Sequence, residues 1–411
     1  QYFADTSASI MKLRNTSNNG FVNLFTLAGG PAFTADGTIN SVNIGKGANS
    51  VGTNTVLGLS ALDAAVTGGF NTALGHTSLS NLTSGAQNTA VGYNSGLDLT
   101  TANFSTFVGS NAGANVTTGG NNTAIGQSAL SLCTTGSNNT VVGRNAMSSL
   151  TEGATNVGIG SQSLLSLTTG SSNVAVGYGS LDANTTASNN TGVGVHSLGA
   201  NTTGTNNVAV GANALDSNTT ADNNTAIGTS SLTSATTGAN NTAMGVVALE
   251  NLTTGDFNTA IGLDALRAVT TADNNVAVGA DALTANTTGN DSVAIGFEAL
   301  KSNTTNGFKV AVGPHCAELD TGAGATVAIG NNCLKTNTTG INNTGVGAQA
   351  LMLNTGSSNT AMGLNALRNN SSASENTSFG SECLENNTTG AQNCSFGFRA
   401  MEANTTANEN V

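Results

Sequence analysis

Tryptophan is missing from this chain of 411 residues, proline occurs twice, and Lys and Arg together number ten. Charged residues make up 8% and aromatic residues 4%. Each shortage excludes something. A net charge of −12, with the few basic residues scattered, excludes an electrostatic nucleic-acid surface, which needs clustered Lys and Arg to release counterions. Sparse aromatics argue against a ring-lined sugar groove along the molecule. No run of 18 apolar residues occurs, so nothing reads as a membrane-spanning helix, and no membrane insertion is expected. There is no Cys-x-x-Cys, which removes the usual zinc framework. Low charge suits neither a disordered acidic tail nor an ordinary enzyme surface. The chain opens at Gln1 without a signal-peptide pattern, which suggests a removed leader or a piece of a longer product.

Glycine is what the chain has in abundance, 53 residues, together with Asn, Thr and Ser. One glycine recurs from Gly45 to Gly397 after a single large apolar residue. Of its 21 intervals 19 are 17 residues, the exceptions being 13 (Gly45 to Gly58) and 16 (Gly347 to Gly363). A fixed short period marks a solenoid whose turns contact only their neighbours. Seventeen residues are too few for a helical repeat, which needs about 33. The fold class is therefore all-β, a parallel β-solenoid or β-roll with 17-residue turns. Residues 1–40 stand apart from the repeat tract 41–411.

With the recurrent glycine numbered position 5, the consensus is Asn-Thr-Ala-Val-Gly-x-x-Ala-Leu-x-x-Asn-Thr-Thr-Gly-x-Asn. Positions 2 and 4 share one face of a strand, and 3 and 5 the other. Large residues at position 4 and Leu at position 9 suggest the core: Ile125, Leu130, Val176, Leu181, Val210, Leu215, Ile227, Leu232, Ile261 and Leu266. Positions 3 and 5 would then present a bald outer face suited to partner chains: Ala124, Gly126, Ala175, Gly177, Ala209 and Gly211. Gly96, Gly113 and Ala317 break the Leu pattern at position 9. Parity conflicts between positions 7 and 9 suggest two short strands per turn, joined by two corners. The Asn-Thr-Thr-Gly corner reads as a surface loop that tolerates the deletion at Asn354-Thr355-Gly356. Position 1 is Asn in 17 of 22 copies. Stacked at about 4.8 Å, residues such as Asn122, Asn139, Asn173, Asn207, Asn241 and Asn275 would form an amide ladder.

Residues 1–40 hold Phe3, Phe21, Phe25 and Phe33, with short strands expected at Ser9–Leu13 and Phe21–Leu27, and read as a cap or attachment segment. The last residues, Asn410-Val411, open another repeat. That suggests continuation in a longer product, or docking of residues 1–40 of the next subunit onto an open coil.

The phrases Ser41-Val42-Asn43-Ile44-Gly45 and Asn173-Val174-Ala175-Val176-Gly177 resemble the head repeats of trimeric autotransporter adhesins. The longer unit Asn-Thr-Ala-Ile-Gly-x-x-Ala-Leu-x-x-Asn-Thr-Thr-Gly resembles repeats of tail-fibre-like proteins of phages, large viruses and some bacteria. The resemblance covers about residues 41 to 411. It implies a left-handed β-roll, three rolls packed as a homotrimer, and a fibre or adhesive role at a cell or virion surface.

Chemistry is scarce. Cys316 and Cys333 sit one period apart at position 8, within disulfide reach if the turns stack, but free thiols filling the core edge are the simpler expectation for the five cysteines. His76, His196 and His315 lie on distant turns. Asp264 and Asp281 share position 7 one turn apart and read as solvated corners. Eight Asn-Thr-Thr corners, at Asn184, Asn201, Asn218, Asn286, Asn303, Asn337, Asn387 and Asn404, are formal glycosylation sequons. No catalytic, cofactor-binding or metal residues are expected. The leading expectation is a non-catalytic extracellular shaft that holds a binding tip, with a receptor or glycan as its partner, away from a surface. The alternatives are a head-to-tail filament and an ice-binding solenoid using the Thr pairs at positions 13 and 14.

Overall fold

A computed structural model describes residues 2–5, 10–14, 21–26, 37–39 and 42–411, with side chains from residue 42 onward. From Thr55–Gly58 to Cys394–Phe396 the chain forms 21 short strands, one per turn, each paired in parallel with its neighbours. Register is kept one period apart, as in Val208↔Thr225, Ala209↔Ala226 and Val210↔Ile227. The expected parallel β-solenoid with 17-residue turns is the observed architecture. At ~4.8 Å per strand the ladder is on the order of 100 Å long.

The start differs from expectation. Val42–Gly45 runs antiparallel to both Gly37–Ile39 and Thr55–Gly58. The phrase ending at Gly45 is thus one arm of a hairpin rather than a turn of the coil, which accounts for the 13-residue interval. Tyr2–Asp5, Ile10–Arg14 and Phe21–Thr26 form a separate antiparallel sheet, overlapping both expected strands. These strands do not bear on the cap or attachment role expected of residues 1–40, the rest of which lies outside the described residues.

Each turn holds one strand, not two. The remainder curls because three non-glycine residues per turn adopt a left-handed backbone, at positions 7, 9 and 17. In one turn these are Asn213 (φ 55°), Leu215 (φ 53°) and Asn223 (φ 62°). Leucine there costs roughly 1–2 kcal/mol against a right-handed conformation. Hydrogen bonds to both neighbouring turns oppose that cost. Asn213 N–H donates to Val195 O at 3.0 Å, Leu215 N–H to Ser231 O at 3.0 Å and Asn223 N–H to Thr205 O at 3.1 Å. The curled wall is therefore a ladder as well, and its backbone groups are satisfied without a second strand.

The inside and outside of the strand are reversed from expectation. Ala124, Ala175 and Ala209 at position 3 are fully buried. At position 4, Ile125, Val210, Ile227 and Ile261 are 36–39% exposed, and Val176 is half-buried. Of the expected core, only Leu130, Leu181, Leu215, Leu232 and Leu266 lie inside. The interior behind the strand usually holds a methyl group or less, Val141 and Phe107 being larger exceptions. A Cβ on Gly192, at position 3, would lie 2.6 Å from Ser180 Oγ and 3.0 Å from Ser197 Oγ. The position 9 leucines fill the space from the opposite wall.

The glycines of position 5 stay half-exposed, but their bareness is explained within the chain. A Cβ on Gly126, Gly177 or Gly211 would lie 2.3–2.5 Å from the carbonyl oxygen of the equivalent glycine one turn on. Their backbone, at φ 134–139°, also disfavours any side chain. The close approach foreseen for these residues exists, but between successive turns of one chain.

Two amide ladders run inside the coil. At position 1, Asn139 donates to Asn122 Oδ1 through its backbone N–H (2.9 Å) and Nδ2 (3.2 Å), while Nδ2 also donates to Gly153 O (3.0 Å). The same backbone bond recurs at Asn173, Asn207, Asn241 and Asn275. The second ladder lies in the corner expected to be a surface loop. Asn218 Nδ2 donates to Asn201 Oδ1 (2.8 Å) and to Ala221 O (3.1 Å). Seven of the eight sequon asparagines are fully buried there, Asn404 being the exception, so a glycan at any of the seven is incompatible with this fold. The shortened corner survives because Asn354 Nδ2 still reaches Gly356 O at 2.8 Å.

Candidate interaction surface

Side chains at positions 17, 2, 4 and 6 point outward from the strand. Thr or Val occupies position 2 except at Cys394, and Leu, Val, Ile, Met or Phe occupy position 4. Neither row carries a charged residue in any turn from Thr55 to Phe396. Position 6 adds Tyr93 (52% exposed), Tyr178, Val195, Val246, Leu263, Phe297, Leu364 and Phe398. Phe70, Phe104, Phe257 and Phe308 at position 17 form the far margin, Phe308 being 71% exposed. Arg144 and His76 interrupt position 6 with basic groups, and Gln127 and Asn331 are among its polar residues. The result is a continuous apolar row at position 4 along the ladder, with Thr or Val beside it and margins of mixed polarity at position 6 and at position 17, where Asn is frequent and Asp291 and Glu375 are charged. A long exposed apolar row is a candidate interaction surface. Sequence reasoning missed it by placing the large residues inside.

Charge gathers on the next edge, at positions 7 and 10, with further acids at position 16 (Asp222, Asp256, Asp273) and position 17 (Asp291, Glu375). Arg267 pairs with Glu250 (2.8 Å) and Asp264 (3.1 Å). Lys301 pairs with Glu298 (2.6 Å) and stands 4.0 Å from Asp281, so Asp264 and Asp281 belong to solvated ion-pair ladders. His315 Nδ1 lies 3.0 Å from both Glu298 and Glu318, and Lys335 lies 3.4 Å from Glu318. Glu298 is held below the usual carboxylate range, first by the hydrogen bond from Lys301. Partial burial has the opposite effect on Asp182 and Asp216, raising both.

Two groups on this edge bring three possible metal donors within 4.8 Å of one another: Glu298, His315 and Glu318, and Glu382, Glu385 and Glu402. Lys301 and Lys335 offset the two carboxylates of the first, while Arg368 and Arg399 offset two of the three carboxylates of the second. The three histidines each contact an aromatic neighbour instead of one another: His76 with Tyr93, His196 with Tyr178 and His315 with Phe297.

All five cysteines are free, and Cys133, Cys316, Cys333 and Cys383 are buried. Burial pushes the Cys133 thiol up to about 11, and a hydrogen bond with Cys316 together with burial raises Cys333. These are inert fillers, not nucleophiles. The position 13 threonines are also engaged: Thr100 Oγ1 donates to Thr117 O (3.0 Å) and Thr202 Oγ1 to Thr219 O (2.9 Å). An ice-binding array at positions 13 and 14 would therefore lose half its hydroxyls.

Among the described residues no helix is long and apolar enough to cross a membrane. Compared with family models, with curated proteins and with solved structures, the chain matches none.

Proposed function

We propose that this chain is a non-catalytic shaft of an extracellular fibre or adhesin, at a cell or virion surface, working as a bundle of three parallel copies. The observation that carries the proposal is the outward row of large apolar side chains at position 4, which together with position 2 carries no charge in any turn from Thr55 to Phe396. A partner that covers it from end to end must present matching rows about every 4.8 Å. A second copy of this chain meets that requirement, since its own row has the same period. The charged edge beside the row would stay at the rim, where interfaces are polar. Turns that bond only to their neighbours suit a part whose task is length.

The test is mass measurement with negative-stain microscopy on the wild type and on a Val193→Glu, Val210→Glu, Ile227→Glu triple variant. The wild type should give rods of three chains. The triple variant should give single chains with an unchanged β-type circular dichroism spectrum. A wild type that stays monomeric at all concentrations would sink the proposal. Rods that lengthen end to end with concentration would move it to the head-to-tail filament.

A further inference from the structure

Lys309 and Asp320 are the only fully buried charged side chains among the described residues. They occupy positions 1 and 12 of a single turn, the two positions that elsewhere carry the amide ladders. Lys309 Nζ lies 2.9 Å from Asp320 Oδ2 and donates to Gly322 O at 2.8 Å. Asp320 Oδ1 accepts from Gly322 N–H at 3.0 Å. Asp320 Oδ2 accepts no well-directed hydrogen bond. Ser292 and Thr326 replace Asn at position 1 on the turns either side, and Thr326 pairs in register with Lys309. Around this break, Asn303 Oδ1, Thr326 Oγ1 and Asn337 Oδ1 are also buried without partners. A charge pair in so dry a place is expensive to keep.

We propose that Lys309 and Asp320 are joined by an intramolecular isopeptide bond from Nζ to Cγ. As the step begins, the ammonium passes one proton to Oδ2, 2.9 Å away, leaving an amine and a carboxylic acid. The Nζ lone pair attacks Cγ. A second Nζ proton moves to the Oδ2 hydroxyl, the Cγ–Oδ2 bond breaks, and one water leaves. One C–N bond forms, one C–O bond breaks, and nothing is oxidised or reduced. The remaining Nζ–H keeps its bond to Gly322 O, and Oδ1 keeps the Gly322 N–H. The oxygen lost is the one without a directed hydrogen bond. Both buried charges vanish, and positions 1 and 12 become tied across the interior of one turn.

Intact-mass measurement of the purified, folded chain decides the matter, combined with a peptide map. The wild type should be lighter than its sequence by one water, and digestion should yield a branched peptide containing Lys309 and Asp320. A Lys309→Met variant should show its full sequence mass. A wild type of full mass, with Lys309 and Asp320 in separate linear peptides, would overturn the proposal. So would water loss that persists in Lys309→Met, which marks a succinimide instead. If that variant does not fold, the wild-type map suffices, because the branch survives denaturation.

Discussion

Two interruptions of the interior, at Phe107 and at Lys309, are of opposite kinds. Around Phe107 the core changes shape but not character. Phe107 replaces the usual Ala at position 3 and is fully buried, the largest such side chain in the coil. Gly96 and Gly113 replace Leu at position 9 on the two turns that face it. A Cβ on Gly113 would lie 2.4 Å from the Phe107 ring, and one on Gly96 2.9 Å from it. Two leucines are given up for one ring, and the volume closes. Around Lys309 the opposite happens: the shape is kept while amides become charges and several polar atoms lose their partners. The coil absorbs a change of volume locally, whereas a change of polarity spreads over three turns.

The largest effects should come from the polar break. Asp320→Ala leaves a buried cation and should cost about 3–5 kcal/mol, measured by urea denaturation. Returning both residues to Asn restores the ladder but gives up the proposed link, and should lower the urea midpoint. A midpoint unchanged or raised would mean that the pair is an unlinked interruption whose burial is costly. Phe107→Ala should cost about 3–5 kcal/mol by opening a cavity. Adding Gly96→Leu and Gly113→Leu to it should recover much of that loss, and failure to do so would refute the volume exchange. Away from both breaks, Gly211→Ala drives a methyl group into the Gly228 carbonyl and should cost on the order of 1–3 kcal/mol in strain. The smallest effect belongs to the charged edge. Glu298 has a lowered folded value, so its contribution is present above the unfolded carboxylate's titration and fades as pH falls through the folded one. Lys301→Met should remove that dependence from a pH series of melting curves and change little at neutral pH.

Much of the fold was legible because period is insensitive to detail. The 17-residue glycine, the position 9 leucines and the position 1 asparagines identify a stacked β-coil without any three-dimensional information. Which side of the strand faces inward was not legible from residue size. Alternation defines two faces, and the larger residues at position 4 suggested the wrong one. The corrective signal was present in Asn139 and its equivalents. Position 1 has the parity of position 3, so burying the amide ladder puts Ala inside and Ile or Val outside. Phe107 flanked by Gly96 and Gly113 carries the same message. The second ladder escaped because Asn in Asn-Thr-Thr-Gly reads as a turn former. Left-handed leucines escaped because that backbone is uncommon for any residue other than glycine. The apolar row went unseen for the same reason as the inverted strand.

The glycine column at position 5 has a consequence for how such a molecule changes over generations. Each glycine seats the carbonyl of the next, and each Asn is held by the one before, so a whole turn carries everything needed to receive another. Removing or duplicating 17 residues in frame would leave both joints intact and alter only the length. The short turn at Asn354 shows that a single-residue loss is also tolerated where the corner amide can still close. Reach is thus a heritable quantity that varies in steps of one coil, adjustable by slippage within the coding repeat without a new core having to be found.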